Sequence, residues 1–222
     1  MIAIDGPSGS GKSSTARGVA SRLGLAYLDT GAMYRAASWL TVHEGVDRTD
    51  SAAVAALVAA AVIDLNLDPN ELYVAINAHD VTEAIRAPEV SAVVSTIATN
   101  LDVRTDLVAR QKRLIAEAGD GIVAEGRDIT TVVAPQAPVR VLLVADPAAR
   151  VARRHAELGE HVEAHAVADQ VIRRDRDDST VAQFESATPG VEVIDSTYLS
   201  LDEVIEAICA LVPSRTTGPA RR

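Results

Sequence analysis

The sequence predicts an α/β fold, a three-layer sandwich in which a parallel sheet lies between helices. Three observations predict it. Short apolar runs recur along the chain and helical patterns separate them. The first run, Met1 to Asp5, leads directly into a glycine-rich loop and then into a helix. One stretch, Asp64 to Thr82, breaks the alternation and shows the period-two polarity of an antiparallel hairpin. The expectation from these observations is a parallel-sheet core with a small antiparallel insert subdomain.

Met1-Ile2-Ala3-Ile4-Asp5 is short, apolar and suited to a buried parallel strand. The helix expected after the loop runs from Ser14 to Leu23, with Ala16, Val19, Ala20 and Leu23 on one face. A short strand is read at Ala26–Leu28. The helix Ala32–Glu44 follows, carrying Met33, Ala36, Ala37 and Leu40. Ala52 to Ile63 is the longest apolar stretch, Ala-rich and too short to span a bilayer. In the insert, Asp64–Asp68 and Glu71–Asn77 alternate about a Pro69-Asn70 turn, and Ala78-His79-Asp80 turns toward a third strand. Arg104–Ala118 reads as a helix that stops at Gly119-Asp120-Gly121. Ile122–Glu125 and Val139–Asp146 are core strands, and Pro147 opens a helix at a favoured first-turn position. Val191–Asp195 and the helix Leu199–Leu211 close the domain. Core segments are thus 1–63 and 83–212, with the insert at 64–82. Residues 213–222 mix Pro, Ser, Thr, Gly and Arg and are expected to form a disordered tail.

The glycine-rich loop carries chemistry. Gly6-Pro7-Ser8-Gly9-Ser10-Gly11-Lys12-Ser13 matches G-x-x-x-x-G-K-[ST], so the sandwich is expected to be of the P-loop NTPase type. Glycines let backbone N–H groups point inward at a polyphosphate. Lys12 adds an ammonium beside the β- and γ-phosphates, and the Ser13 hydroxyl is a candidate ligand for Mg²⁺. Ser14 extends the donor set at the start of the helix.

Composition bounds the remaining possibilities. Of 222 residues, 48% are apolar and only 3% aromatic, so the core must be aliphatic. The formal net charge of −10 argues against a general nucleic-acid surface. An anionic nucleotide still binds where basic residues are concentrated locally. A single cysteine, Cys209, allows no internal disulfide and no zinc cluster. With no leader expected before the motif and no membrane span, the chain is read as cytoplasmic and monomeric. His43, His79, His155, His161 and His165 have no motif context and read as surface or structural residues.

Within the P-loop class, phosphotransferase, GTPase and mechanical ATPase compete. A GTPase carries an N-K-x-D guanine reader. Here Asn66, Asn70, Asn77 and Asn100 are followed by Leu67, Glu71, Ala78 and Leu101. A motor of the AAA type needs a longer chain. A small-molecule kinase leads, and it requires charges opposite the γ-phosphate to hold an acceptor. Asp29-Thr30-Gly31-Ala32-Met33-Tyr34-Arg35 opens a helix after a strand, a place suited to an anion. Glu125-Gly126-Arg127-Asp128 ends a strand, where open α/β sheets bind ligands. Arg150, Arg153 and Arg154 share one helix face, and Arg173-Arg174-Asp175-Arg176-Asp177-Asp178 adds a second charge cluster.

Together these residues resemble bacterial-type cytidylate kinases. The resemblance rests on Ile4–Ser14, L-D-T-G-A-M-Y-R at Leu28–Arg35, Glu83–Arg86, Val103-Arg104, E-G-R-D-I-x-T-V-V at Glu125–Val133, R-D-x-x-D-S at Arg174–Ser179 and Ile194–Thr197. It implies transfer of the ATP γ-phosphoryl group to CMP or dCMP with Mg²⁺. Arg35 and Arg127 would hold the acceptor phosphate, with Thr30 beside them. Ser95, Arg104 and Asp128 would read the cytosine. Arg174 and Asp178 would approach sugar and phosphates from a helical lid at about 150–185, while Arg150 and Arg153 would serve ATP. Lys12, Arg127, Asp128 and Arg174 form the implied catalytic group. Two positions depart from the family pattern. Val181 stands where the lid has an arginine, which removes one cation. Thr130 stands where D-I-G-T-V-V has glycine, which would crowd the base site if that position required φ > 0. Another small acceptor, or a regulator with little turnover, remain the alternatives.

Overall fold

The computed structural model describes residues 1–158, 168, 172–173, 175–184 and 186–213. The sequence expectations for Arg174, His161, His165 and residues 214–222 lie outside the described residues.

Strands β1 (Ile2–Asp5), β2 (Ala26–Asp29), β6 (Ile122–Gly126), β7 (Val139–Val144) and β8 (Glu192–Asp195) form a parallel sheet in the order β2-β6-β1-β7-β8. Its register pairs Asp29 with Glu125 and Asp5 with Gly126, so their carboxyl ends lie level. Alternating side chains feed two cores. Ile2, Ile4, Val123, Val141 and Leu143 face helices α1 (Lys12–Leu23) and α7 (Leu201–Ala210). Ala3, Leu28, Ile122 and Ala124 face α2 (Thr30–His43), α4 (Pro88–Ala98) and α5 (Leu101–Glu117). Helices α3 (Ser51–Ala60) and α6 (Pro147–Leu158) are also present. The expected three-layer sandwich is present.

The insert is a separate antiparallel sheet, β3 (Ile63–Leu65), β4 (Val74–Ile76) and β5 (His79–Asp80). Its last turn uses Asn77 and Ala78 at φ 47° and 66°, the left-handed pair that a two-residue hairpin needs. Val74, Ile76, Val81 and Ile85 pack on Ala32, Ala36 and Leu40 of α2, which fixes the insert against the core.

Some elements differ from the sequence expectation. Helix α1 begins at Lys12, not Ser14, because Gly11 at φ 90° already supplies the break before it. Helix α5 begins three residues before Arg104, because the Asn100 side chain accepts from the N–H groups of Asp102 and Val103. Helices α3 and α4 were not expected as elements. The Ala-rich run of α3 hides its period, and α4 has apolar residues on much of its surface. Ile129–Val133 forms one wide helical turn, with the N–H groups of Val132 and Val133 both donating to the Asp128 carbonyl.

Candidate functional site

The glycine loop leaves the end of β1, where the sheet order reverses between β6 and β7. Its glycines are required by close approach. A Cβ at Gly6 would collide with the Leu143 carbonyl oxygen. One at Gly9, where φ is 75°, would sit 2.6 Å from the Arg150 carbonyl oxygen. The loop is therefore pressed on β7 and α6 and cannot drift.

Beside it lies a cavity of about 400 Å³. Of the predicted residues, Ser8, Gly9, Gly11, Lys12, Ser13 and Ser14 line it from the loop side. Thr30, Arg35, Arg104, Arg127, Asp128 and Asp178 line it from the other elements. Seven of the lining residues are basic (Lys12, Arg17, Arg35, Arg86, Arg104, Arg127 and Arg154) and four are acidic (Asp29, Glu125, Asp128 and Asp178). A chain of net charge −10 thus concentrates positive charge where an anion would enter.

Lys12, Arg35, Arg104 and Arg127 have oxygen partners that orient them. Lys12 Nζ donates to the Pro7 carbonyl at 2.9 Å. Arg35 donates to the Ile85 carbonyl at 3.2 Å and Ser91 Oγ at 3.0 Å. Arg104 is ion-paired with Asp128 and donates to the Ala98 carbonyl at 3.2 Å. Arg127 spans the site. It donates to the Gly6 carbonyl at 2.8 Å and meets the Asp175 and Asp178 carboxylates at 2.9 and 3.1 Å. Its guanidinium also lies 4.4 Å from the centre of the Phe184 ring. Asp175 in turn accepts from the Ser8 N–H at 2.9 Å and pairs with Arg150.

The acidic side has a buried centre. Glu125, at the end of β6, accepts from Ser13 Oγ at 2.7 Å. Burial and the neighbouring Asp29 carboxyl push its pKa up to about 7, against the opposing pull of Lys12 and Ser13. Asp29 caps α2 by accepting from the Ala32 N–H at 2.9 Å. Thr30 Oγ1 donates to the Glu125 carbonyl at 2.7 Å, joining the same two strand ends. Burial also raises Asp128, with Arg104 pulling the other way. Among the described residues, no cluster of three or more His, Cys, Asp or Glu could hold a metal ion by itself.

Other predicted residues stand back from the cavity. Gly6, Pro7 and Ser10 belong to the rear of the loop. Arg150 donates to the Ser8 carbonyl at 3.0 Å, and Arg153 to Ser196 Oγ and its carbonyl at 2.9 and 2.6 Å. Both brace the loop from behind, and Arg154, next to them on α6, is the one that lines the cavity. Ser95 lies on α4 between the lining residues Val94 and Ala98. Thr130 does not crowd the base site. It is absent from the positive-φ residues, is buried, and turns its hydroxyl to Asp5. Arg154, Glu125, Asp29 and Arg86 were not singled out as site residues. Glu125 and Asp29 were legible as charges at the ends of predicted strands, and Arg154 as the third residue of an arginine face.

A family model described as cytidylate kinase matches residues 2–214. A cytidylate kinase from Cutibacterium acnes is 56% identical over 214 residues, covering 96% of each chain. One from Streptomyces avermitilis is 42% identical over 217 residues, covering 97% of this chain and 93% of that one. The crystal structure of an uncharacterized protein from Eubacterium ventriosum superposes with a TM-score of 0.51 at 12% identity, covering 96% of this chain and 98% of that one. That last likeness concerns the fold alone.

Proposed function

The chain belongs to the cytidylate kinase family, and we propose that it transfers the γ-phosphoryl group of ATP to CMP or dCMP. The observation that supports this best is that Lys12, at the start of α1, and Arg127 and Asp128, just after β6, line one cavity. The glycine loop receives the donor triphosphate, and Lys12 lies where donor and acceptor phosphates meet. Arg35 and Arg127 hold the acceptor phosphate, with Asp178 beside Arg127. Arg150 and Arg153 serve ATP by stiffening the loop that binds it.

Cytosine is read by Asp128, Arg104 and Ser95. The cytosine N4 amino group is a donor where uracil presents an acceptor. Ionised Asp128 accepts only, so uracil would set acceptor against acceptor in a buried site. No general base is needed, because the attacking phosphate oxygen has a second pKa of about 6 and is largely ionised at neutral pH. The residues accordingly supply position and positive charge.

The oxygen-rich surroundings of Ser13 suit Mg²⁺, which takes one or two protein oxygens together with water and phosphate. When bound, the ion neutralises charge building on the phosphates. Ser13 would ligate it, and the neighbouring carboxyls of Glu125 and Asp29 would supply further oxygens to the site. Among the described residues, no helix is long and apolar enough to cross a membrane. We place the protein in the cytoplasm as a monomer whose partners are nucleotides and not nucleic acids.

The test is ADP release from Mg-ATP with CMP, dCMP, UMP, AMP or shikimate as acceptor. CMP or dCMP should be preferred by at least about tenfold, Asp128→Ala should erase that preference, and Lys12→Ala should lower turnover by about 10²–10³. Equal rates on every nucleotide would refute the cytosine reading, and ATP binding without acceptor-dependent ADP release would favour a regulator.

A further inference from the structure

The structure holds a buried polar cluster that the phosphoryl-transfer reading does not use. Asp5 is the last residue of β1 and directly precedes Gly6 of the phosphate loop; it is 1% exposed. Its carboxylate accepts three hydrogen bonds. The Ile129 N–H donates to Oδ1 at 2.9 Å. The Thr130 N–H and Oγ1 donate to Oδ2 at 2.8 and 2.7 Å. All three donors come from the two residues that follow Asp128.

We propose that Asp5 and Thr130 are positioning residues that fix Asp128, the base reader, in register with the phosphate loop. The proposal rests on the reading of Asp128 given above.

Three features support it. A buried carboxylate is costly to the fold, and apolar residues of similar size commonly serve stability as well or better. Here that cost is met by three well-formed donors at a location joining two halves of one site. The Asp128 backbone is clamped from the other side too, because its carbonyl accepts from Val132 N–H at 2.8 Å and Val133 N–H at 3.0 Å. Asp128 therefore has a fixed backbone on which its side chain meets Arg104 at the cavity wall. Finally, the Thr130 hydroxyl supplies a donor that no glycine, alanine or valine could. Without it, Oδ2 would keep only the Thr130 N–H.

Positioning of this kind has a kinetic signature. A displacement of Asp128 by a fraction of an ångström weakens cytosine recognition while leaving the loop's contacts with ATP in place. Thr130→Val keeps the shape and the N–H but deletes the hydroxyl. It should raise KM for CMP about 5–10-fold and narrow the CMP-to-UMP preference by a similar factor. KM for ATP should stay within about twofold, and Thr130→Ser should restore both values. Asp5→Asn, which sets an amide N–H₂ against an N–H donor, should act in the same direction and more strongly.

Steady-state kinetics on the full chain, with each variant checked by circular dichroism, decide the matter. Thr130→Val with an unchanged KM for CMP overturns the proposal. So does a parallel rise in both KM values, or a failure of Thr130→Ser to rescue. Should Asp5→Asn fail to fold, the Thr130 pair alone carries the decision. Asp128→Asn separates this proposal from the reading beneath it. If that variant keeps the CMP preference, the base-reader assignment falls. If it loses the preference while Thr130→Val retains it, only the positioning role falls.

Discussion

Removing Arg104 tests whether the cavity wall is held by a buried ion pair. The Arg104 and Asp128 side chains are 13% and 6% exposed, so neither charge is well screened by solvent. In Arg104→Met the aliphatic volume is largely kept and the carboxylate is left without its cation. Breaking a buried pair from one side costs about 3–5 kcal/mol. Loss of the 3.2 Å bond to the Ala98 carbonyl adds about 1 kcal/mol. The first contribution depends on pH and the second does not. Burial already raises the Asp128 pKa against the pull of Arg104. Without Arg104 it rises further. A carboxyl with a raised folded-state pKa contributes stability that is present below its unfolded value and lost as pH rises through the folded value. The slope between those two pH values is at most about 1.4 kcal/mol per unit. The variant should therefore lag the parent most at pH 8 and recover at least about half of the deficit by pH 5. Urea unfolding of nucleotide-free protein from pH 5 to 8.5 measures this. Adding Asp128→Asn should restore most of the loss at pH 8. A deficit independent of pH, or a double variant no more stable than Arg104→Met, would refute the electrostatic account.

Three further outcomes follow from the geometry. Gly9→Ala would put a Cβ 2.6 Å from a backbone carbonyl at φ 75°, so it should cost about 1–3 kcal/mol and raise KM for ATP tenfold or more, with KM for CMP little changed. Glu125→Gln removes a carboxyl whose pKa is pushed up to about 7, and such a group loses its stabilising contribution as pH rises toward that value. The nucleotide-free variant should thus gain up to about 3 kcal/mol on the parent at pH 8 and match it below pH 5; an equal difference at both pH values would contradict the assignment. Asp175→Asn weakens charge-assisted bonds to Arg127 and Arg150 and the bond from the Ser8 N–H. Amide exchange across 175–184 should rise about tenfold without nucleotide, and unchanged exchange would show that the carboxylate does not hold this segment.

The sheet was legible because β1, β6 and β7 are aliphatic runs buried on both faces, and such runs leave few alternatives. The insert was legible from alternation and a Pro69-Asn70 turn. Helix α3 was not, since a run of Ala and Val gives no polar face to mark its period. In the site, glycine spacing and strand-end charges pointed to Lys12, Arg127 and Asp128. Spacing could not say which arginine of α6 turns inward. Arg150, Arg153 and Arg154 fall on one face by periodicity. The loop carbonyls of Ser8 and Ser10 and the side chain of Ser196 draw the first two aside. Such long-range partners, 142 residues apart for Arg150 and Ser8, leave no local trace in the sequence. The same holds for Thr130. Its departure from glycine reads as a steric risk in sequence and as an added donor to Asp5 in space.

The partners of these arginines also bear on how an anion could enter a cavity already laced with carboxylates. A guanidinium has five N–H donors. Arg127 directs its donors at Gly6, Asp175 and Asp178 and rests its face on Phe184, so its plane is fixed before any ligand arrives. A side chain ordered in advance loses less conformational freedom on binding, about 0.5–1.5 kcal/mol for a long one. A phosphate oxygen can then share or replace a carboxylate oxygen without the arginine having to be drawn in from solvent. The two kinds of carboxylate differ in what replacement would mean. Asp175 and Asp178 touch Arg127 from a segment that also packs Phe184 and Ala182 on Leu142, so a ligand that takes over Arg127 alters what anchors that segment. Asp128 pairs with Arg104, and the two residues after it bond Asp5 of β1 through their N–H groups, so its place does not depend on Arg127. The carboxylates on Arg127 thus belong to a segment held partly by that contact, whereas Asp128 belongs to a turn anchored on Asp5.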